Sequence, residues 1–290
     1  MYTTSNSNSP YNSYTCFGID TANSKWFNKP NGFGAQTIFF DNDTTWQTSN
    51  NIIGSTVFNC VEIQIDKKNS VWERDDNNIV YSLINGIGGS WQKYTAASTG
   101  VQAMDEVYDI AVDDLSNKWF GGYYGLVKYN DTTFVVMDTT NSNLPFEPVY
   151  RTAVDKDNNI WIEGDSNFAK FDGANWQIYS KPFPSSLILQ HRLAIDSSNF
   201  LWVVRSPSSD GIYKFDGSIW TNYITSNSTI PTNNLRVLAI DKNGYVWIGY
   251  TGGIANFDGI IWTSYGSGEG YPSTGNALAM HVDRYNNKWI

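Results

Sequence analysis

The chain has 290 residues, 16 % of them aromatic and 16 % charged, with 12 Trp, 18 Tyr and a formal net charge of -9. Many rings and few charges disfavour amphipathic helices and suit short, densely packed strands, and the length exceeds a usual single core but fits one repeat domain. The acidic balance leaves no basic stripe for phosphates, which argues against nucleic acid and anionic membrane surfaces and leaves neutral or cationic ligands as the better fit.

The first ten residues are rich in Ser and Asn and lack an apolar core of the kind a signal peptide carries. They read as the tail of a preceding blade or link, with the repeat proper running over 11–290. No apolar run approaches the length of a membrane span, so no membrane insertion is expected within the chain.

From there an Asp followed six residues later by a Trp recurs seven times: Asp20/Trp26, Asp66/Trp72, Asp113/Trp119, Asp155/Trp161, Asp196/Trp202, Asp241/Trp247 and Asp283/Trp289. Successive Asp residues are 41 to 47 apart, the period of four-stranded propeller blades. An aliphatic residue precedes each Asp, as in "VLAID", so the Asp ends a buried strand. Three residues later stands Asn23, Asn69, Ser116, Asn158, Asn199, Gly244 or Asn286, mostly types that tolerate positive φ in a turn. The Asp is expected to accept from backbone N–H groups two or three residues on. The Trp is expected to lie in the second strand and pack between blades, which makes these pairs structural anchors.

A second hairpin follows, plainest in "AKFDGANW" (169–176), "YKFDGSIW" (213–220) and "ANFDGIIW" (255–262), where Asp-Gly marks the turn before an outer Trp strand. Each unit is then a four-stranded antiparallel meander with no helix required. The predicted blades are 14–50, 58–98, 105–143, 148–181, 188–228 and 234–266, with half of a seventh at 276–290, so the chain reads as an all-β propeller fragment of a seven-bladed or longer array. Cys16 and Cys60 lie upstream of consecutive repeat Asp residues, and their spacing leaves open both a disulfide and two buried thiols.

The unit, best seen in "VLAIDKNGYVWIGYTGGIANFDGIIWTSY" and "YDIAVDDLSNKWFGGYYGLVKYND", resembles the two-component regulator propeller repeat over nearly the whole chain. The resemblance implies an extracytoplasmic, periplasmic or secreted, bacterial propeller that binds a ligand or partner without catalysis. Sensor regions of hybrid histidine kinases and secreted surface proteins both carry such repeats, and glycans are a frequent ligand class of the former.

Within the chain, the copies differ most after the Trp. Three depart from the Gly-rich consensus, "WERDDNN" (72–78), "WIEGDSN" (161–167) and "WVVRSPSSDG" (202–211). Glu73, Arg74, Asp75, Glu163, Asp165 and Arg205 are therefore candidate ligand contacts in loops, with Tyr123, Tyr124 and Tyr250 as aromatic platforms. Gln64 and His281 break a rule of small residues two before each Asp. The segment "DKDNN" (155–159) hints at a calcium loop but lacks the Gly and distal Glu of one, and the repeat turn explains it. No catalytic, metal or cofactor constellation is seen: the two histidines, His191 and His281, stand two blades apart. The expected function is a sensor-type propeller for an oligosaccharide or another small soluble ligand. A protein-docking propeller of a secreted surface protein is the alternative, and a lyase-type enzyme the more distant one.

Overall fold

Strands of four to six residues make up the four-stranded sheets, the second strands buried along nearly their whole length, as in Leu201–Ser206, and each strand pairs with the next in the chain, so these sheets are meanders. The computed structural model describes residues 16–28, 36–41, 45–50, 52–53, 56–57, 60–84, 89–183, 190–206, 208–266, 277 and 279–290. In chain order the first sheet holds β1 (Cys16–Ile19), β2 (Lys25–Asn28), β3 (Gln36–Asp41) and β4 (Thr45–Asn50). A small hairpin, β5 (Ile52–Ile53) and β6 (Thr56–Val57), precedes the second sheet of β7 (Cys60–Ile65), β8 (Val71–Asp75), β9 (Val80–Leu83) and β10 (Trp91–Tyr94). After a short helix α1 (Ala96–Thr99) come β11 (Val107–Val112), β12 (Lys118–Gly122), β13 (Gly125–Tyr129) and β14 (Phe134–Met137). The fourth sheet holds β15 (Arg151–Val154), β16 (Ile160–Glu163), β17 (Asn167–Phe171) and β18 (Trp176–Ser180). Then follow β19 (Gln190–Ile195), β20 (Leu201–Ser206), β21 (Ile212–Phe215) and β22 (Trp220–Tyr223), and β23 (Val237–Ile240), β24 (Val246–Tyr250), β25 (Gly253–Phe257) and β26 (Trp262–Tyr265). The last strands, β27 (His281–Val282) and β28 (Lys288–Trp289), pair as a two-stranded hairpin.

Strands in each four-stranded sheet neighbour one another in chain order, and the pairings are antiparallel, for example Trp119 opposite Ala111 and Lys128. The helix α1 departs from the helix-free expectation. Thr95 caps it, its side chain accepting from the Ser98 N–H, and Gly100 closes it at φ 74°, so local capping chemistry makes one helical turn inside a connector.

Each repeat Asp closes its own hairpin. Its Oδ1 accepts the N–H four residues on in all seven copies, at 2.8 to 3.0 Å. In the copies from Asp66 onward it also accepts the N–H two residues on, at 2.9 to 3.0 Å. The expected donor three residues on instead bonds the Asp carbonyl, because that residue turns to φ between 61° and 82°. The Asp Oδ2 accepts the indole N–H of its Trp, at 2.9 to 3.2 Å in every copy. One carboxylate thus satisfies donors that the turn and a buried ring would otherwise orphan.

The chain divides into two compact units, one comprising Met1–Thr152, Ile162–Gly164 and Ala174–Ile178, the other Ala153–Trp161, Asp165–Gly173 and Tyr179–Ile290. In the first unit, Trp26 packs against Ile63, Val71, Tyr81 and Leu83 of the following blade. Trp72 likewise packs with Met104, Ile110, Phe120 and Val127. In the second unit, Trp161 packs against Leu201, Val203 and Phe215, and Trp202 against Val246, Ile248 and Phe257. Each ring fills the space between consecutive blades, where truncation of a buried Trp typically costs about 3–5 kcal/mol. Cys60 is buried, with Sγ 2.9 Å from the Glu62 carbonyl oxygen; the side chain of Cys16 lies outside the described residues.

Candidate functional site

The three segments that depart from the repeat consensus place their polar residues mostly in strands. Glu73, Asp75, Glu163 and Arg205 are 0 %, 2 %, 1 % and 4 % exposed, which corrects the expectation that they stand in solvent-facing loops. Glu73 and Arg205 lie within β8 and β20, and Asp75 and Glu163 end β8 and β16. Asn28 Nδ2 donates to Glu73 Oε2 at 3.4 Å. Asp75 heads a second hairpin built like the first: Oδ1 accepts from the N–H groups of Asn77 and Ile79, and Oδ2 from the Tyr81 hydroxyl six residues on, at 3.1 Å. Arg205 pairs with Asp210 and lies over the Phe183 ring, 4.6 Å from its centroid. Arg74 bonds Glu62 at 3.1 Å and Asn78 at 3.0 Å. Asp165 is exposed, and its carbonyl accepts from Lys181 Nζ at 3.2 Å. Tyr250 ends β24 and folds over Gly253, where an added Cβ would meet its hydroxyl at 2.6 Å.

Tyr123 and Tyr124 do stand in the open, 52 % and 38 % exposed, on the turn between β12 and β13, with rings edge-on at 5.0 Å and 80°. Beside Tyr123 lies a second aromatic feature of the first unit. Tyr108 and Tyr150 stack at 5.8 Å with an interplanar angle of 15°. Arg151 Nη1 holds both, donating to the carbonyls of Tyr108 at 3.2 Å and Tyr150 at 2.8 Å.

Glu106 joins this face in an unusual conformation. Among the described non-glycine residues with positive φ, the others are Asn, Ser or Asp, whereas Glu106 sits at φ 60°. A Glu has no local hydrogen bond of the Asn kind to offset that geometry, so it stores strain on the order of 1–2 kcal/mol. Its carbonyl accepts the Tyr123 N–H at 3.2 Å, over Gly122, where a Cβ would come within 2.6 Å of that carbonyl oxygen. Its carboxylate lies 3.4 Å from the Tyr108 hydroxyl. Burial and that carboxylate push the Tyr108 hydroxyl up to about 12.

Beneath the tyrosines runs a ladder of charge. Glu62 Oε1 accepts the N–H of Ile110 at 3.0 Å, and Asp109 Oδ2 accepts the N–H of Thr152 at 2.6 Å and its hydroxyl at 3.1 Å. The acid four before one repeat Asp thus latches onto the next innermost strand, twice in succession. Arg151 Nη1 stands 3.9 Å from Asp109 Oδ1. Burial first, then the Glu62 charge, push the Asp109 carboxyl up, against the pull of Arg151, the Thr152 N–H and Arg74.

No protein family matches the sequence, and no curated protein is detectably similar to it. Solved structures are similar to it. One is the extracellular domain of a hybrid two component system from B. thetaiotaomicron, with TM-score 0.69 and 13 % identity over 95 % of this chain. A streptogramin B lyase gives TM-score 0.71 and 14 % identity over 95 % of this chain and 89 % of that one. A catalytically inactive virginiamycin B lyase from Staphylococcus aureus, with quinupristin, gives 0.69 and 13 % over 95 % and 93 %. The chain has the β-propeller fold. It spans 37 % of the length of the two component extracellular domain that it matches. At such identities the likeness speaks for the propeller of four-stranded antiparallel blades and for nothing finer.

Among the propeller's described residues, no helix is long and apolar enough to cross a membrane, and no three His, Cys, Asp or Glu side chains are grouped to hold a metal ion. His281 is desolvated and faces Arg192, which together hold its imidazole down to about 4; the side chain of His191 lies outside the described residues. Sequence reasoning missed Glu106, Tyr108, Tyr150 and Arg151. A signal for three of them was present: Tyr stands five before the repeat Asp in two consecutive blades, and Glu62, Asp109, Arg151 and Arg192 occupy the position four before it.

Proposed function

We propose that this propeller is a non-catalytic, extracytoplasmic ligand-binding domain of the sensor type, and that the tyrosine face of its first unit takes a neutral oligosaccharide. The observation that carries the reading is the pair of stacked rings, Tyr108 and Tyr150, beside exposed Tyr123 and the carboxylate of Glu106. Flat aromatic faces suit the C–H faces of pyranose rings, and a carboxylate accepts from a pair of vicinal hydroxyls. A chain with net charge -9 is a poor host for acidic sugars. The likeness to the extracellular domain of a hybrid two component system supports the placement outside the cytoplasm.

A thermal-shift screen over neutral and acidic oligosaccharides tests it, since a ligand at 100 times its Kd stabilises by about 2.7 kcal/mol. A neutral glycan that stabilises the protein and loses its effect in Tyr123→Ala supports the proposal. Silence across a broad panel, or binding unchanged in Tyr123→Ala and Tyr150→Ala, overturns the glycan assignment, and turnover of a bound ligand overturns the non-catalytic one.

A further inference from the structure

A concavity of the first unit lies between two connectors, the one carrying α1 and the one after β14. It is an open groove of about 460 Å³, within the roughly 300–1,000 Å³ of small-ligand sites. Val101, Ala103 and Val136 give it an apolar lining, and the half-exposed ring of Tyr124 adds an aromatic surface. Asp138 and Glu147 also line it, and among the described residues that line it there is no Lys, Arg or His.

The two carboxylates are fixed in place. Asp138 Oδ1 accepts from the N–H groups of Thr140 and Asn141 at 2.7 and 2.9 Å, and Oδ2 accepts from Asn141 Nδ2 at 2.9 Å. The Thr140 hydroxyl first, then the N–H groups of Thr140 and Asn141, hold the Asp138 carboxyl below the usual carboxylate range. Glu147 Oε1 accepts the Thr139 N–H at 2.7 Å, which ties the second charge to the same loop. Two anions, a ring face and an aliphatic lining together complement one chemistry: a cationic head on an apolar stem.

We propose that this groove binds a small organic cation, an alkylammonium or alkylguanidinium, with its stem on Val101, Ala103 and Val136 and its head between Tyr124, Asp138 and Glu147. The site is independent of the oligosaccharide reading. Tyr124 only abuts the tyrosine face, through its edge-on contact with Tyr123.

Calorimetric titration of the intact chain with butylguanidinium and with butylurea, its uncharged isostere, tests the proposal. Butylguanidinium is expected to bind at least about tenfold more tightly than butylurea, and more weakly as salt rises. Glu147→Gln, whose amide oxygen still accepts the Thr139 N–H, and Tyr124→Ala are each expected to weaken it about tenfold, with the unfolding midpoint unchanged. No binding, equal binding of the two probes, or full affinity in both variants overturns the assignment. The oligosaccharide screen uses neither probe nor Glu147, so either proposal fails on its own.

Discussion

The ammonium of Lys118 lies 3.6 Å from Oδ2 of Asp66, the oxygen that the Trp72 indole N–H meets at 3.2 Å. Lys118 is fully buried, stands 4.8 Å over the Trp72 ring, bonds Asp131 and donates to the Ser116 carbonyl at 2.9 Å. Lys288 repeats the arrangement in the second unit, 2.9 Å from Asp241 Oδ2 and 4.7 Å over Trp247. A lysine five past its own repeat Asp therefore closes onto the anchor of the preceding blade.

Removing that cation leaves a buried carboxylate short of its partner, a loss of about 3–5 kcal/mol for fully buried pairs. Lys118→Met is expected to destabilise the protein by about 3 kcal/mol in urea titration, and Lys288→Met, at a less buried site, by about 1 kcal/mol. Equal and negligible losses would contradict the latch.

The anchor itself separates into a ring and a hydrogen bond. Trp202→Phe keeps an aromatic ring but loses the 2.9 Å bond to Asp196, and is expected to cost about 1–2 kcal/mol. Trp202→Ala also loses the packing against Val246, Ile248 and Phe257, and is expected to cost about 3–5 kcal/mol. The unfolding midpoints of the two variants report the difference.

Burial and Arg192 hold the His281 imidazole down to about 4, from an ordinary 6.5. The folded state therefore binds that proton less tightly than the unfolded chain. Its contribution to stability is complete above pH 6.5 and is lost as the pH falls toward 4. The depressed carboxyls of Asp241 and Asp283 act lower, below their ordinary 3.8. The raised carboxyl of Asp109 acts in the opposite sense over the same window, so the His281 share is read as a difference: relative to wild type, His281→Gln is expected to gain melting temperature as the pH falls from 6.5 to 4, with the acid limb below 3.8 unchanged.

Strain at Glu106 predicts opposite effects on stability and binding. Glu106→Gly relieves a backbone at φ 60° and is expected to stabilise the protein by about 1 kcal/mol. The same change removes the carboxylate beside Tyr108, so affinity for a bound neutral glycan is expected to fall by about tenfold. A urea midpoint that stays put or falls would show that the left-handed turn carries no strain.

The blades were legible because their defining bonds are local. Asp20, Asn23 and Trp26, and their six counterparts, meet within six residues of chain, so the chemistry of the hairpin is written as a fixed spacing. That spacing determined the strand order, the turns and the identity of the structural anchors. Even so, it did not reveal that the indole N–H completes the carboxylate, nor that Asp75 and Tyr81 copy the device with a phenol.

Only the tertiary structure decided what surrounds each strand. Glu73, Glu163 and Arg205 look like loop polarity in sequence, yet strand register turns them inward, where burial demands partners from elsewhere in the fold. Tyr108 and Tyr150 lie 42 residues apart and meet because equivalent positions of adjacent blades converge. A repeat thus encodes its own blade through short-range hydrogen bonds, while its surfaces are assembled between blades by packing, where the spacing along the chain marks equivalent positions but not which side chains meet there.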